Sequence, residues 1–241
     1  MGEQLYDDSI VSAEWRTAYT LEQVNNGEIS DKITLNSIKD FEIEAISVTN
    51  DLGSYISDER QFMNIKEKAP KIIWYSSEQS SSFDCKIKVE EGKVYRVRIF
   101  VHNNNPYGAR MTAVDTTAWV GISSDIAEEV SMTAYLSATN ATPGYGGDDG
   151  IYDNVTLVSK DGRKFSIAYV PGSVEYRNNW TIGAFESSGY APLSDYLFTN
   201  SGVKLGYNNY DYETQAFDGD LPGGYEYSGW LFFDVIPQFQ D

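Results

Sequence analysis

The chain is 241 residues long and carries 36 Asp and Glu against 18 Lys and Arg, a formal net charge of −18, with one Cys and one His. So acidic a chain repels phosphate backbones and anionic lipid, which argues against nucleic acid and against membrane insertion. A single Cys excludes an intramolecular disulfide and a thiolate zinc site, a single His excludes a multi-histidine metal centre, and no apolar run approaches the roughly 18 residues needed to span a bilayer.

In chain order, Met1-Gly2-Glu3-Gln4 has neither a basic stretch nor an apolar one, so no signal peptide is visible. The richness in Tyr, Asn, Ser, Thr and Gly, with little Lys, reads as a mature segment of an extracellular or cell-surface protein. Residues 1–30 are polar and weakly periodic, an N-terminal arm or edge strand; residues 31–241 read as a single β-sandwich domain. The stretch Asp58–Glu67 could hold a helical turn or two. Cys85, Ile87 and Val89 alternate with polar residues, as do Tyr95, Val97, Ile99 and Val101, with Glu91-Gly92 turning the chain between them.

Ala118, Val120 and Ile122 alternate around Trp119, which the pattern turns to the face opposite them. A short helical connector over Ser123–Glu129, capped by Ser124 or Asp125, is expected next. Val130, Met132, Ala134 and Leu136 form another strand, and Ile151, Asp153, Val155 and Leu157 another. Lys160-Asp161-Gly162-Arg163 reads as a hairpin turn into Phe165, Ile167 and Tyr169. Leu231, Phe233 and Val235 close the series, with Trp230 and Phe232 on the other face. Strands at this spacing, separated by Gly, Asn, Asp and Pro, predict an all-β fold: a β-sandwich, immunoglobulin-like or jelly-roll-like, with long aromatic loops.

Charge is uneven. Residues 1–111 carry a net −5 and residues 112–241 a net −13, and no Lys or Arg follows Lys204. His102, in His102-Asn103-Asn104-Asn105-Pro106, is the only imidazole a catalytic triad could use. No G-x-S-x-G elbow supplies a serine, so His102 and its Asn neighbours read as hydrogen-bonding the exit of a strand. Paired carboxylates for glycoside hydrolysis are available among Asp148, Asp149, Asp211, Glu213, Asp218 and Asp220, but nothing selects one as an acid. Asp148-Asp149-Gly150 and Asp218-Gly219-Asp220 are oxygen-rich turns of a kind calcium can use, though neither is an EF-hand loop; no other cofactor is indicated.

The aromatics are more informative: 18 Tyr, 11 Phe and 5 Trp make 14% of the chain. Sugars lay apolar C–H faces on exposed Trp and Tyr rings while amides and carboxylates take the hydroxyls. Rings expected on loops are Tyr107, Tyr145, Tyr176, Trp180, Phe185, Tyr190, Tyr207, Tyr210 and Tyr212. From these the ligand-binding set is Trp180, Tyr176, Asn178, Asn179, Tyr190, Tyr210, Tyr212 and Tyr145.

Several motifs carry a resemblance. Ile33–Ile38, Asp58–Phe62, Glu91–Asn104, Asn140–Pro143, Tyr169–Ser173, Leu205–Tyr207 and Asp220–Gly229 together resemble a cell-surface β-sandwich domain that recurs in Gram-positive gut bacteria. In overall character the chain is also similar to starch-binding proteins of the starch adherence system of amylolytic ruminococci. Against that pattern, Thr142–Asp153, Tyr176–Ala191 and Asn208–Phe217 look enlarged, and Pro222-Gly223-Gly224 stands where related sequences read Pro-Gly-Cys. The resemblance implies a non-catalytic α-glucan binder, with the shared motifs as scaffold and the enlarged loops as the ligand site. The alternatives are a structural or adhesive surface module binding a protein partner, and a hydrolase.

Overall fold

The structure, a computed structural model, describes residues 18–39, 58–68, 84–142 and 150–240. Eleven strands lie among the described residues: β1 (Met63–Glu67), β2 (Lys86–Val89), β3 (Tyr95–Val101), β4 (Thr117–Ile122), β5 (Glu129–Ser137), β6 (Ile151–Ser159), β7 (Phe165–Tyr169), β8 (Glu175–Asn178), β9 (Ala191–Pro192), β10 (Val203–Lys204) and β11 (Gly229–Phe239). They form two sheets. One has the order β1-β3-β11-β8-β9 with β7 also on β11, and the other has the order β10-β4-β5-β6-β2. The expected all-β sandwich is what the chain forms.

Period-2 alternation builds it. In β5 and β6 every second residue is buried, and Val130, Met132, Ala134, Leu136, Ile151, Val155 and Leu157 meet Val97, Ile99, Leu231, Phe233 and Val235 of the other sheet in one shared core. The turns are less local than expected. Lys160–Arg163 does not close a hairpin, because β6 pairs with β5 and β2 whereas β7 pairs with β11. The Glu91-Gly92 turn likewise leads from one sheet to the other, and β2 runs parallel to β6. Both turns carry the chain across the sandwich.

Two expected helical pieces are absent. Asp58–Glu67 supplies a turn at Glu59-Arg60 and then β1, in which Met63 and Ile65 face the core and pair antiparallel with β3. Ser123–Glu129 stays extended: Asp125 N–H bonds Ser123 Oγ and Ala127 bridges Phe165. Conversely, two helices form in segments read as an arm and as a loop. Helix α1 (Leu21–Asn25) is closed by a capping box of Thr20 and Gln23, and α2 (Asn179–Ala184) by one of Asn178 and Thr181. Tyr19, Val24, Ile29 and Ile38 make a second, small core.

The pairing along β11 contains one irregularity. Strands β7 and β8 lie end to end along the same side of β11, where Val235 faces Tyr169 and Phe232 faces Glu175. The chain therefore uses three more residues than β11 over this step, looped out around Pro171-Gly172. Gly172 takes φ +71°, and its N–H is held by the Asp195 carboxylate at 3.0 Å. Asp195 opens the 3-10 turn Asp195–Phe198, which packs against β4.

Candidate functional site: an aromatic cleft at the edge of the sandwich

At the free edge of β4 lies an open cleft of about 1000 Å³. Its walls come from β4 and the residues after it (Trp119 to Ser124), from Tyr135 of β5, from Ile167 to Tyr169 of β7 with Pro171, and from Phe198-Thr199-Asn200 after the 3-10 turn. Two stacked ring pairs line it. Trp119 and Tyr135, directly opposite on β4 and β5, have centroids 4.9 Å apart and planes within 4°. Tyr169 and Phe198 stack at 4.1 Å and 17°. Two rings with centroids 4.9 Å apart overlap face to face, so one face of Trp119 rests on Tyr135 and the other looks away from β5, toward the strand edge. Tyr152 on β6 extends the row, 6.0 Å from Tyr135.

No lining residue is charged, and besides the Trp119 indole the side-chain polar groups are the Ser123, Ser124, Tyr135, Tyr169 and Thr199 hydroxyls and the Asn200 amide. The indole N–H of Trp119 has no hydrogen-bond acceptor among the described residues, and it is not buried. Half-buried rings, a free N–H, hydroxyls and an amide around a neutral cleft suit a ligand with apolar faces and many hydroxyls.

The residues expected to bind ligand fare differently. Tyr176 belongs to β8 and is fully buried, its hydroxyl pKa pushed well up by burial; it is core, a correction to its expected place on a loop. Asn178 is buried and caps α2, its amide also donating to the carbonyls of Gly206 and Tyr207. Asn179 donates to the Glu226 carbonyl. Tyr190 is half-buried against Phe232 and accepts a hydrogen bond from Arg177. The structure does bring two of the enlarged loops together: Trp180, Phe185, Tyr210, Tyr212 and Phe217 pack mostly edge to face. Tyr210 is buried there and donates to the Pro192 carbonyl, another ring lost to packing, whereas Tyr212 is 69% exposed. Tyr145, Asp148 and Asp149 lie outside the described residues. Asp218 accepts from Asp220 N–H and from Asn209, and Asp220 is exposed. Among the described residues no three His, Cys, Asp or Glu gather as a metal site.

The other aromatic face is occupied by cations. Outside the first sheet, Arg98 lies 4.6 Å over Trp230 and Arg96 4.8 Å over Phe232, while Arg96 also pairs with Glu175 and Asp234. Burial lowers the Arg98 pKa to about 10, so it stays charged at neutral pH.

His102 is a clasp. Its Nδ1 lies 2.9 Å from Glu59 Oε1, and that carboxylate also accepts from Tyr225 Oη (2.8 Å) and Asn104 Nδ2 (2.5 Å). Asn105 Nδ2 reaches the carbonyls of Ile29, Ser30 and Lys32, and Asn36 and His102 exchange hydrogen bonds. The strand exit expected at His102–Asn105 thus ties down residues 29–38. Compared with known proteins, the chain matches no family model, no curated protein and no solved structure.

Proposed function

We propose that the protein is a non-catalytic, cell-surface glycan-binding module that takes a neutral polysaccharide, α-glucan in first place, in the cleft beside β4. The observation that carries this reading is the pairing of two aromatic stacks, Trp119–Tyr135 and Tyr169–Phe198, around one uncharged cleft with hydroxyl and amide groups in its wall. Ring faces take sugar C–H surfaces, and a neutral ligand needs no cation, so the −18 charge is no obstacle. The resemblance to surface domains of starch-adhering bacteria points the same way. The site moves, in this reading, from the loops to the sheet edge. Affinity electrophoresis against soluble polysaccharides, amylopectin included, tests it. Retardation by a neutral glycan is expected, unchanged by a calcium chelator and without release of reducing ends. Migration unaffected by every polysaccharide contradicts it.

A second reading, a module that binds a protein partner, is favoured by Ile182 (48% exposed) and Tyr212 (69%) at the surface of the loop cluster. Tyr212→Ala separates the two, because it lies in the loop cluster and lines no part of the cleft.

A further inference from the structure

The cleft is bounded by an unusual piece of backbone. In β4 the odd-numbered residues bond β5, as Ser123 N–H to Ser131 C=O shows, and the even-numbered ones face the opposite edge, as Thr116 C=O accepting from Leu205 N–H shows. Along that edge β10 pairs only with Thr117 and Ala118. The N–H and C=O of Val120 and Ile122 therefore have no partner among the described residues, and both residues line the cleft. The two positions are about 6.7 Å apart along the strand. Natural edges are usually blunted by Lys, Pro or a bulge; here the sequence is Trp119-Val-Gly-Ile-Ser-Ser124, with none of these. Gly121, between the two, is exposed, with the edge of the Tyr135 ring beside it.

Resting on the glycan-binding reading, we infer that the open backbone edge of β4 at Val120 and Ile122 reads the hydroxyls of consecutive units of a soluble, neutral hexose chain, and that the cleft rejects acidic glycans. The lining sets the occupant's chemistry. A uronic acid or sulfated unit would find no cation in the cleft and would meet a chain of net charge −18. A crystalline polysaccharide needs coplanar rings side by side, and the Trp119–Tyr135 stack is face to face instead. A chain entering the cleft meets the outer face of Trp119 on one side and backbone donors and acceptors on the other, a combination that fixes both its ring faces and its hydroxyl pattern. An extended peptide could also use such an edge, but it would be specified by side-chain pockets, whereas this lining offers ring faces and short hydroxyls.

The test is a titration of the 15N-labelled protein with maltohexaose, cellohexaose, mannohexaose and hexagalacturonate, each followed by amide spectra. A neutral hexaose should shift the Ile122 and Val120 amides, and hexagalacturonate should not. Ile122→Pro removes one edge N–H without touching the β4–β5 ladder, since proline is tolerated where the N–H faces outward. It should bind the neutral hexaose about tenfold more weakly than the unaltered protein, and severalfold more weakly than Ile122→Ala, which trims the same side chain but keeps the N–H. If the unaltered protein binds and Trp119→Ala does not, yet the Val120 and Ile122 amides stay still, the edge inference fails and the glycan reading stands. Equal binding of hexagalacturonate also overturns the inference alone. Binding of no hexaose, with the same amides shifted by an extended neutral peptide, overturns both.

Discussion

Tyr225 donates its hydroxyl hydrogen to Glu59, a carboxylate that is 1% exposed and that also faces His102 and Asn104. Burial and the charge of Glu59 push the Tyr225 pKa well up, and burial does the same for Tyr176. A phenol whose folded pKa is raised holds its proton more tightly in the native state. The stability it contributes is complete below the unfolded value of about 10 and is lost as pH rises above it. Urea midpoints should therefore be flat from pH 7 to about 9 and fall steeply above about 10. Tyr225→Phe should cost about 1 kcal/mol at pH 7, because the buried Glu59 carboxylate then loses one of its donors, and should lessen the alkaline fall. At this scale the sequence is readable in part. His102–Asn105 reads as a hydrogen-bonded strand exit, but nothing local says that Asn105 reaches Ile29, Ser30 and Lys32. Tyr176 and Tyr190 look alike in sequence, and only strand register makes one core and the other half-exposed.

Strand β11 shows how elements constrain one another. Gly229 pairs with Val101 and Asn178, and a Cβ there would sit 2.2 Å from the hydroxyl oxygen of the fully buried Tyr176. Gly229→Ala should lower stability by about 1–3 kcal/mol or more, read as a drop in Tm, because the Tyr176 ring has nowhere to go. Alternation identified β5 and β6 well, since each buries every second residue over nine positions; β3 and β11 follow from the apolar spacing of their core faces, although Arg98, Phe100, Phe232 and Asp234 on their other face are buried too. It failed at Asp58–Glu67, where β1 shows its alternation over only five residues and depends on pairing with β3. It also could not say which strands pair: a turn such as Lys160–Arg163 reads the same whether it closes a hairpin or crosses between sheets. For Trp119 the alternation correctly gave the face opposite the core. That β4 lies next to a short β10, leaving an edge and a cleft beside the ring, depends on topology that no local pattern encodes.

Across the whole molecule, acidity and aromatic content serve different ends. The charge disfavours anionic partners, and among the described residues many rings are spent on the core, on the cation-covered face of the first sheet, and on the packed loop cluster. Two stacked pairs line the cleft, where binding of a neutral glycan should respond to added salt by less than about twofold between low and high ionic strength, since no ion pair forms. An acidic protein interface would weaken severalfold over the same range. The most direct measurement is calorimetric titration of the neutral hexaose that binds best into the unaltered protein, Trp119→Ala and Tyr212→Ala, with folding checked by circular dichroism. The unaltered protein and Tyr212→Ala should bind alike, with Kd in the micromolar to millimolar range, on the order of −4 to −8 kcal/mol. Trp119→Ala should bind roughly 30-fold more weakly, the loss of about 2 kcal/mol that marks a central aromatic contact. A folded Trp119→Ala that binds as tightly as the unaltered protein would contradict the account.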